Sequence, residues 1–108
     1  MKILHTADWH LGTFRSPVKD GVNLRTEDTK RCLDELIRVA NEEKPDYSLV
    51  SGDIFHVGRL WSDRCCEEII TAIHYIRELA AVSKQVVVMR GTPNHDGSGQ
   101  FNVLSEMW

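Results

Sequence analysis

The amino-acid sequence predicts an α/β protein in which strands and helices alternate as β-α-β-α-β-α around a parallel sheet with flanking helices. Three short apolar runs have the length of strands, and the longer segments between them repeat their apolar residues at helical spacing. Strands that alternate with helices of this length favour parallel pairing through right-handed crossovers. The chain of 108 residues has the size of one small domain.

The three predicted strands cover residues 2–6, 47–51 and 85–89. The segments that follow them contain glycine, proline, asparagine and aspartate and lack an apolar period, which is typical of loops. These loops are assigned to residues 13–25, 52–61 and 91–99.

Two helices are predicted between the strands and a third at the end of the chain. The first covers residues 26–43, where Thr26 is a suitable cap and Pro45 ends the helix. The second follows Ser62, which is also a suitable cap, and the third covers residues 100–108. The apolar faces predicted for the first two helices are Leu33, Leu36, Ile37 and Ala40, and Ile69, Ala72, Ile73, Ile76 and Ala80, respectively.

The composition is that of an ordinary globular protein, with 42% hydrophobic and 27% charged residues. A formal net charge of −3 gives no overall basic field for nucleic acid, although bound metal ions or a local patch can supply positive charge. No apolar run approaches the roughly 20 residues of a membrane span, and the first residues do not form a signal peptide. We therefore expect a cytoplasmic protein without membrane contact.

The three cysteines agree with a reducing compartment, because their number is odd and they form no Cys-x-x-Cys pair. Cys65 and Cys66 are adjacent, and neighbouring residues on a helix point about 100° apart. Two ordinary thiols are therefore favoured over a redox pair or half of a metal site.

Side chains with metal-binding chemistry follow each predicted strand. In extended chain, residues two apart point the same way, so a carboxylate and an imidazole at this spacing can reach one metal ion. Because parallel strands end at the same edge of a sheet, we expect all three groups to meet there. The groups are Asp8 and His10, then Asp53 and His56, then Asn94, His95 and Asp96.

Each of these groups alone has a simpler interpretation. A lone Asp-x-His arises often by chance, a glycine–aspartate pair is usually a turn, and the third group is usually a polar loop or a helix cap. His56 alone is most often a surface histidine. Three groups in register, each just past a strand, favour a metal site. His5 and His74 lie within a predicted strand and helix and are assigned to packing or to the surface.

The ligand types restrict the metal. Oxygen and imidazole ligands together suit manganese, iron or zinc better than calcium. A carboxylate such as Asp53, on the middle strand, has two oxygens with which to bridge two ions. Two ions about 3.5–4 Å apart form a phosphoryl-transfer site, where they generate hydroxide and clamp the phosphate oxygens.

These residues resemble the first three motifs of the calcineurin-like metallophosphoesterases, Asp8-x-His10, Gly52-Asp53 and Asn94-His95-Asp96. The flanks, Ile-Leu-His-Thr-Ala-Asp-Trp-His-Leu-Gly at 3–12 and Leu-Val-Ser-Gly-Asp-Ile-Phe-His at 49–56, are similar to the SbcD-type DNA repair nucleases. The resemblance covers essentially the whole chain. It implies half of an αββα sandwich and a metal-dependent DNA exo/endonuclease of double-strand-break repair. It also implies two divalent ions, for which Mn²⁺ is expected.

For the metal, the resemblance implies that Asp8 and His10 hold the first ion, that Asp53 bridges both ions, and that Asn94 binds the second. One departure concerns the last ligand. The family's third motif has glycine directly before the asparagine, whereas here Thr92-Pro93 intervenes. The insertion lengthens the loop and proline stiffens it by fixing φ, so Asn94 reaches the metal only if the insertion bulges outward.

For catalysis, the resemblance implies that an activated hydroxide attacks the phosphodiester in line. His95 would stabilise the transition state or protonate the leaving oxygen. His56 would lie close to the substrate phosphate, and Asp96 would orient His95 and not contact the metal.

A second departure is that the family's Gly-His and Gly-His-x-His motifs, which complete the site, are missing from this sequence. Residues 1–108 are therefore interpreted as the N-terminal part of a truncated nuclease domain. Residues 100–108, which end on the apolar Trp108, agree with this interpretation. Such a piece is expected to bind metal weakly and to show little activity alone. Its apolar surface for the missing half would favour self-association, for example as a homodimer, or strand exchange.

By resemblance, the expected partners are DNA and an SbcC-type ATPase subunit. Two alternatives stay open: another calcineurin-like phosphoesterase acting on small phosphodiesters or phosphoproteins, and a short non-catalytic binding or regulatory module. Trp9 and Phe55-His56 favour the nuclease branch over the first alternative. A Gly-His-x-His motif further along the gene would favour a truncated enzyme over the second.

Overall fold

The computed structural model describes residues 1–12, 18–19, 21–56 and 63–91. The elements within these residues are β1 (Ile3–Thr6), β2 (Val18–Lys19), β3 (Val22–Asn23), α1 (Leu24–Glu43), β4 (Tyr47–Val50), α2 (Asp63–Val82) and β5 (Gln85–Val88). Residues 92–108, which include the predicted third helix, lie outside the described residues.

Three of the strands form a parallel sheet in the order β1-β4-β5. Thr6 pairs with Val50 and Val50 pairs with Val88, so the three strands end level at their carboxyl ends. α1 lies between β1 and β4 in the chain and α2 between β4 and β5, as the crossovers of a parallel sheet require. The predicted α/β class with a parallel sheet and flanking helices is confirmed.

The apolar stripe predicted for the first helix is confirmed in α1. Leu33 and Ala40 are buried, and Leu36 and Ile37 pack partly buried against the same core. The predicted start of the helix is wrong, however, because α1 begins at Leu24 and Thr26 already lies within it. Thr26 is therefore not the cap, and the carboxylate in the first turn is Glu27.

The predicted loop 13–25 contains a small antiparallel hairpin that the sequence did not reveal. β2 and β3 pair Val18 with Asn23 and Lys19 with Val22. Gly21 between them has φ of +79°, a left-handed conformation that glycine adopts without steric cost. Two-residue strands are too short to produce an apolar alternation, so no periodic signal was present.

α2 buries most of its predicted face, with one exchange. Ala72 and Ile76 are buried, whereas Ala80 is exposed and its neighbour Leu79 is fully buried. Adjacent helical residues point in different directions, so only one of Leu79 and Ala80 can face the sheet. Burial of the leucine is favoured because it removes more apolar surface from water than burial of the alanine would. Among the described helices, neither α1 nor α2 has the length and apolar content of a membrane span.

The two faces of the sheet differ in burial. Ser48 and Val50 on β4 are buried beneath the helices, and Ser48 Oγ lies 2.6 Å from Ser83 Oγ. On the opposite face, Ile3 and Met89 are 56% and 57% exposed, respectively. The core therefore lies between the sheet and the two helices, and it continues past the strand ends into the segments that carry the candidate site.

Candidate metal centre

The polar residues after β1 and β4 lie between the last residue pair of these two strands and a second, isolated pair further along the chain. Thr6 pairs with Val50 at the end of the sheet, and Leu11 pairs again with Phe55 in an isolated parallel bridge. Residues 7–10 therefore run beside residues 51–54, with the same number of residues on each side. Both segments are fixed at their two ends, which restricts where their side chains can lie.

Backbone hydrogen bonds connect these two segments at the polar residues themselves. The Asp8 N–H donates to the Gly52 carbonyl at 3.0 Å, and the His10 N–H donates to the Asp53 carbonyl at 3.0 Å. A buried backbone donor without a partner would be costly, so these bonds favour the observed path of the chain. They also place Asp8 beside Gly52 and His10 beside Asp53.

The backbone is strained at the three polar residues. Asp8 has φ of 55°, His10 of 49° and Asp53 of 50°, all in the left-handed region. For an L-residue this region costs roughly 1–2 kcal/mol, somewhat less for aspartate because its short side chain bonds locally. Strain of this kind concentrates at binding and catalytic sites, where the surrounding structure maintains it.

The side chains of these three residues converge. Asp8, His10 and Asp53 each offer one ligand atom, and those atoms lie within 4.8 Å of one another. His10 Nε2 lies 3.7 Å from Asp8 Oδ1, and the Asp8 side chain is 70% exposed, so an ion can enter from solvent. Two carboxylates and an imidazole are a fitting donor set for a divalent transition ion. That the three residues are ligands stays a prediction.

Gly91 brings the segment after β5 against this cluster. A Cβ at Gly91 would collide with the backbone nitrogen and Oδ1 of Asp53, and a Cβ at Gly52 would lie 2.6 Å from the Gly91 Cα. Glycine at both positions allows this close backbone approach. The segment that leads to Asn94, His95 and Asp96 therefore starts in contact with Asp53, although those three residues lie outside the described residues.

His56 lies beside the cluster and is not one of its three members. Its ring centroid is 5.9 Å from that of His10, and its backbone N–H donates to the Leu11 carbonyl at 2.8 Å. Gly12 packs so closely that a Cβ there would lie 2.6 Å from His56 Cβ. The imidazole is thus held next to His10, and its predicted proximity to a substrate phosphate stays a prediction.

The other two histidines lie outside the cluster, as expected. His5 is exposed, and its Nε2 lies 2.6 Å from Ser51 Oγ. His74 is exposed on α2, with its ring centroid 5.0 Å from that of Tyr75. Cys32 is an exposed free thiol, and the side chains of Cys65 and Cys66 lie outside the described part of α2.

Three residues that support the cluster could not be recognised as its supports from the sequence. Trp9 is only 6% exposed, although it lies between two polar residues, and Gly91 and Gly12 owe their importance to neighbours that are distant in the chain. One signal was available for Trp9, because in extended chain the middle of three residues points away from its two neighbours. The side chains do alternate in this way, although Asp8 and His10 are not extended and have a left-handed φ. No local signal distinguishes the glycines from ordinary turn residues.

Comparison with known proteins supports the family that the motifs suggested. The profile of the calcineurin-like phosphoesterase family matches residues 1–108. A subunit of the SbcCD nuclease from Staphylococcus epidermidis is 29% identical over 106 residues, which cover 98% of this chain and 26% of that relative. The chain thus spans about a quarter of the length of this relative.

Proposed function

Because this chain belongs to the calcineurin-like phosphoesterase family, we propose that it forms part of a divalent-metal-dependent DNA nuclease that hydrolyses phosphodiester bonds. The observation that carries the proposal is the convergence of Asp8, His10 and Asp53 at the carboxyl edge of the sheet. The similarity to a protein named as part of a nuclease supports a nucleic acid as substrate. DNA is chosen because the flanks of the first two motifs resemble the SbcD-type DNA repair nucleases.

The proposal includes the extent and the assembly of the enzyme. Residues 1–108 would be the N-terminal part of a larger nuclease domain, and ligands from outside this segment would complete the site. The partners would be DNA and an SbcC-type ATPase subunit, and the process would be double-strand-break repair. The basis is the match to a subunit of the SbcCD nuclease along nearly the whole chain.

Each site residue has a defined task in this proposal. Divalent ions at the site supply Lewis acidity and acidify water. Asp8 and His10 would hold one ion, and Asp53 would serve both ions. Asn94 would help to hold the second ion. The mixture of carboxylate oxygen and imidazole nitrogen suits manganese, iron or zinc, and manganese is proposed among these by resemblance to the SbcD-type nucleases.

The proton transfers belong to histidine in this proposal. His95 donates a proton to the departing oxygen or stabilises the charge that develops on the phosphate. His56 lies next to His10 and would contact a non-bridging phosphate oxygen. Asp96 would accept a hydrogen bond from His95 and so fix which ring nitrogen carries the proton.

The substrate is tested with the protein encoded by the longest reading frame that contains this chain. We expect Mn²⁺-dependent hydrolysis of linear double-stranded DNA, and loss of that hydrolysis in the Asp53→Asn variant, which keeps the size of the side chain. A small aryl phosphodiester serves as the competing substrate. Turnover of the aryl ester without any turnover of DNA would contradict the nuclease and favour a phosphoesterase of small substrates.

The division of labour within the site has a separate test. We expect Asp53→Ala to lower the affinity for Mn²⁺ by at least about 10- to 100-fold, because that is the usual loss when a residue that only supports a ligand is removed, and the proposed carboxylate would itself serve both ions. His95→Ala should leave uptake nearly unchanged and lower turnover, because this histidine acts on the phosphate. Isothermal titration calorimetry measures both affinities. Equal losses in the two variants would refute the assignment of His95 as a residue that does not bind metal.

A further inference from the structure

We propose that Trp9 is a positioning residue that holds the two metal ligands beside it, an inference that rests on the proposed metal site. Trp9 is only 6% exposed, whereas Asp8 is exposed and His10 is half-buried. The side chain between the two ligands therefore points into the core while the ligands point outward. Within this three-residue segment, the indole is the side chain that the core encloses.

The indole is held by specific contacts on two sides. Its Nε1–H donates to Thr6 Oγ1 at 2.8 Å, which ties it to the last residue of β1. Its ring meets the Tyr75 ring edge to face, with centroids 6.5 Å apart and planes at 76°. Tyr75 is 5% exposed and its hydroxyl donates to Asp34 Oδ1 at 2.8 Å. Trp9 is thus connected to β1, to α2 and, through Tyr75, to α1.

The ligand backbone needs such an anchor. Asp8 and His10 both have a left-handed φ, which residues with a side chain leave readily when nothing holds them. Relaxation of either residue would rotate its side chain away from Asp53. Since the two strained residues flank Trp9, a fixed indole opposes both rotations at once.

A purely apolar role would not require tryptophan. Phenylalanine at position 9 would keep an aromatic ring for Tyr75 but would lose the donor to Thr6. If Trp9 only filled space, this substitution would change stability and leave the geometry at a bound ion intact. If Trp9 positions the ligands, the substitution would loosen the ion as well. Trp9→Phe therefore separates the two roles.

The experiment compares metal binding in variants of the protein encoded by the longest reading frame containing this chain. We expect Trp9→Phe to weaken Mn²⁺ binding by about tenfold or more in calorimetry. Bound Co²⁺ should show altered visible absorption, because its spectrum reports coordination geometry. Thr6→Val, which removes only the acceptor, should act in the same direction, and Thr6→Ser should restore tight binding because it keeps the hydroxyl.

Ile76→Val is the matched control for stability, since it removes one methyl group from a buried residue of α2 that is 2% exposed. It should lower the urea midpoint and leave the Co²⁺ spectrum unchanged. Unchanged Mn²⁺ affinity in Trp9→Phe and Thr6→Val, or an equal loss in Ile76→Val, would overturn the role of Trp9. Absence of Mn²⁺ binding by the unmodified protein would overturn the metal site itself and the inference with it.

Discussion

The parallel sheet has one edge where its strands begin, here called the first edge, and one where they end, the second edge. Both edges carry charged side chains, but the charges are arranged differently. At the edge where the strands begin, opposite charges face each other: Lys2 Nζ lies 2.9 Å from Glu43 Oε2, and Lys84 Nζ lies 2.9 Å from Asp46 Oδ1. The hydrogen bond from Lys84 is the main cause that lowers the pKa of Asp46. Each of these two carboxylates therefore has an ammonium partner of its own.

At the edge where the strands end, groups with metal-binding chemistry lie together. Two carboxylates and an imidazole bring their ligand atoms within 4.8 Å of one another. Neighbouring carboxylates repel each other when both are ionised, and a divalent cation removes that repulsion. At the first edge the charges thus pair with one another, whereas the second edge gathers donor atoms that suit a divalent ion.

The backbone shows the same difference. Lys44, at the first edge, has φ of 48°, and its N–H donates to the Ala40 carbonyl at 2.9 Å. This is the usual left-handed end of a helix, and Pro45 follows it. Asp8 and Asp53 have similar φ values, but they lie two and three residues past the ends of β1 and β4, where no helix ends. Their strain has no origin in helix termination and fits a requirement of the site.

The largest expected loss of stability comes from adding a Cβ at Gly52, at the second edge. Gly52→Ala should lower the free energy of unfolding by about 1–2 kcal/mol for its left-handed φ. It should lose roughly 1–3 kcal/mol more because the new Cβ meets the backbone of Gly91. Gly21→Ala is the control, because Gly21 has φ of +79° but no atom of the described part of the chain within 4 Å of an added Cβ. Urea unfolding measures both. Equal losses would show that the backbone contact of Gly52 with Gly91 is unimportant.

A smaller effect on stability is expected when glycine relieves the left-handed backbone at Asp8, in the candidate site, or at Lys44, at the end of α1. Asp8→Gly should relieve strain and leave stability without metal unchanged or about 1 kcal/mol higher, because the side chain is 70% exposed. It should nevertheless lose Mn²⁺ binding, which calorimetry measures. Lys44→Gly should give a similar gain in stability and bind Mn²⁺ normally. Weaker Mn²⁺ binding in Lys44→Gly would contradict the inference that the left-handed backbone at the first edge is unrelated to metal binding.

The smallest effect is expected from the paired charges at the first edge. Asp46→Asn should lower stability slightly at pH 7 and leave Mn²⁺ binding unchanged. Because the folded pKa of Asp46 is lowered, its contribution is present above the ordinary value near 3.8 and is lost as pH falls through the folded pKa. The difference between Asp46→Asn and the unmodified protein in urea should therefore shrink in acid, and also in about 1 M salt. A difference independent of pH would contradict the ion pair as its cause.

Much of this arrangement was predictable because it depends on short-range patterns. The apolar spacing of Leu33 and Ala40 indicated which face of α1 is buried, and the motifs after the strands identified Asp8, His10 and Asp53 as a group. The start of α1 and the hairpin around Gly21 were not predictable from pattern. The strands of the hairpin have only two residues each, and the helix starts without its expected cap. Both features depend on tertiary contacts, which local spacing does not encode.

The order of the three sheet strands and the two helices between them, their parallel pairing and the polar residues after the strands follow from the amino-acid sequence alone. They follow because periodicity and chain connectivity are local properties, and strands joined by helices have few ways to pair. Tertiary structure alone decided that Asp8, His10 and Asp53 adopt left-handed backbone, that Gly91 packs against Asp53, and that Trp9 points inward. These features depend on contacts between residues far apart in the chain, and such contacts exist only after the strands have come together.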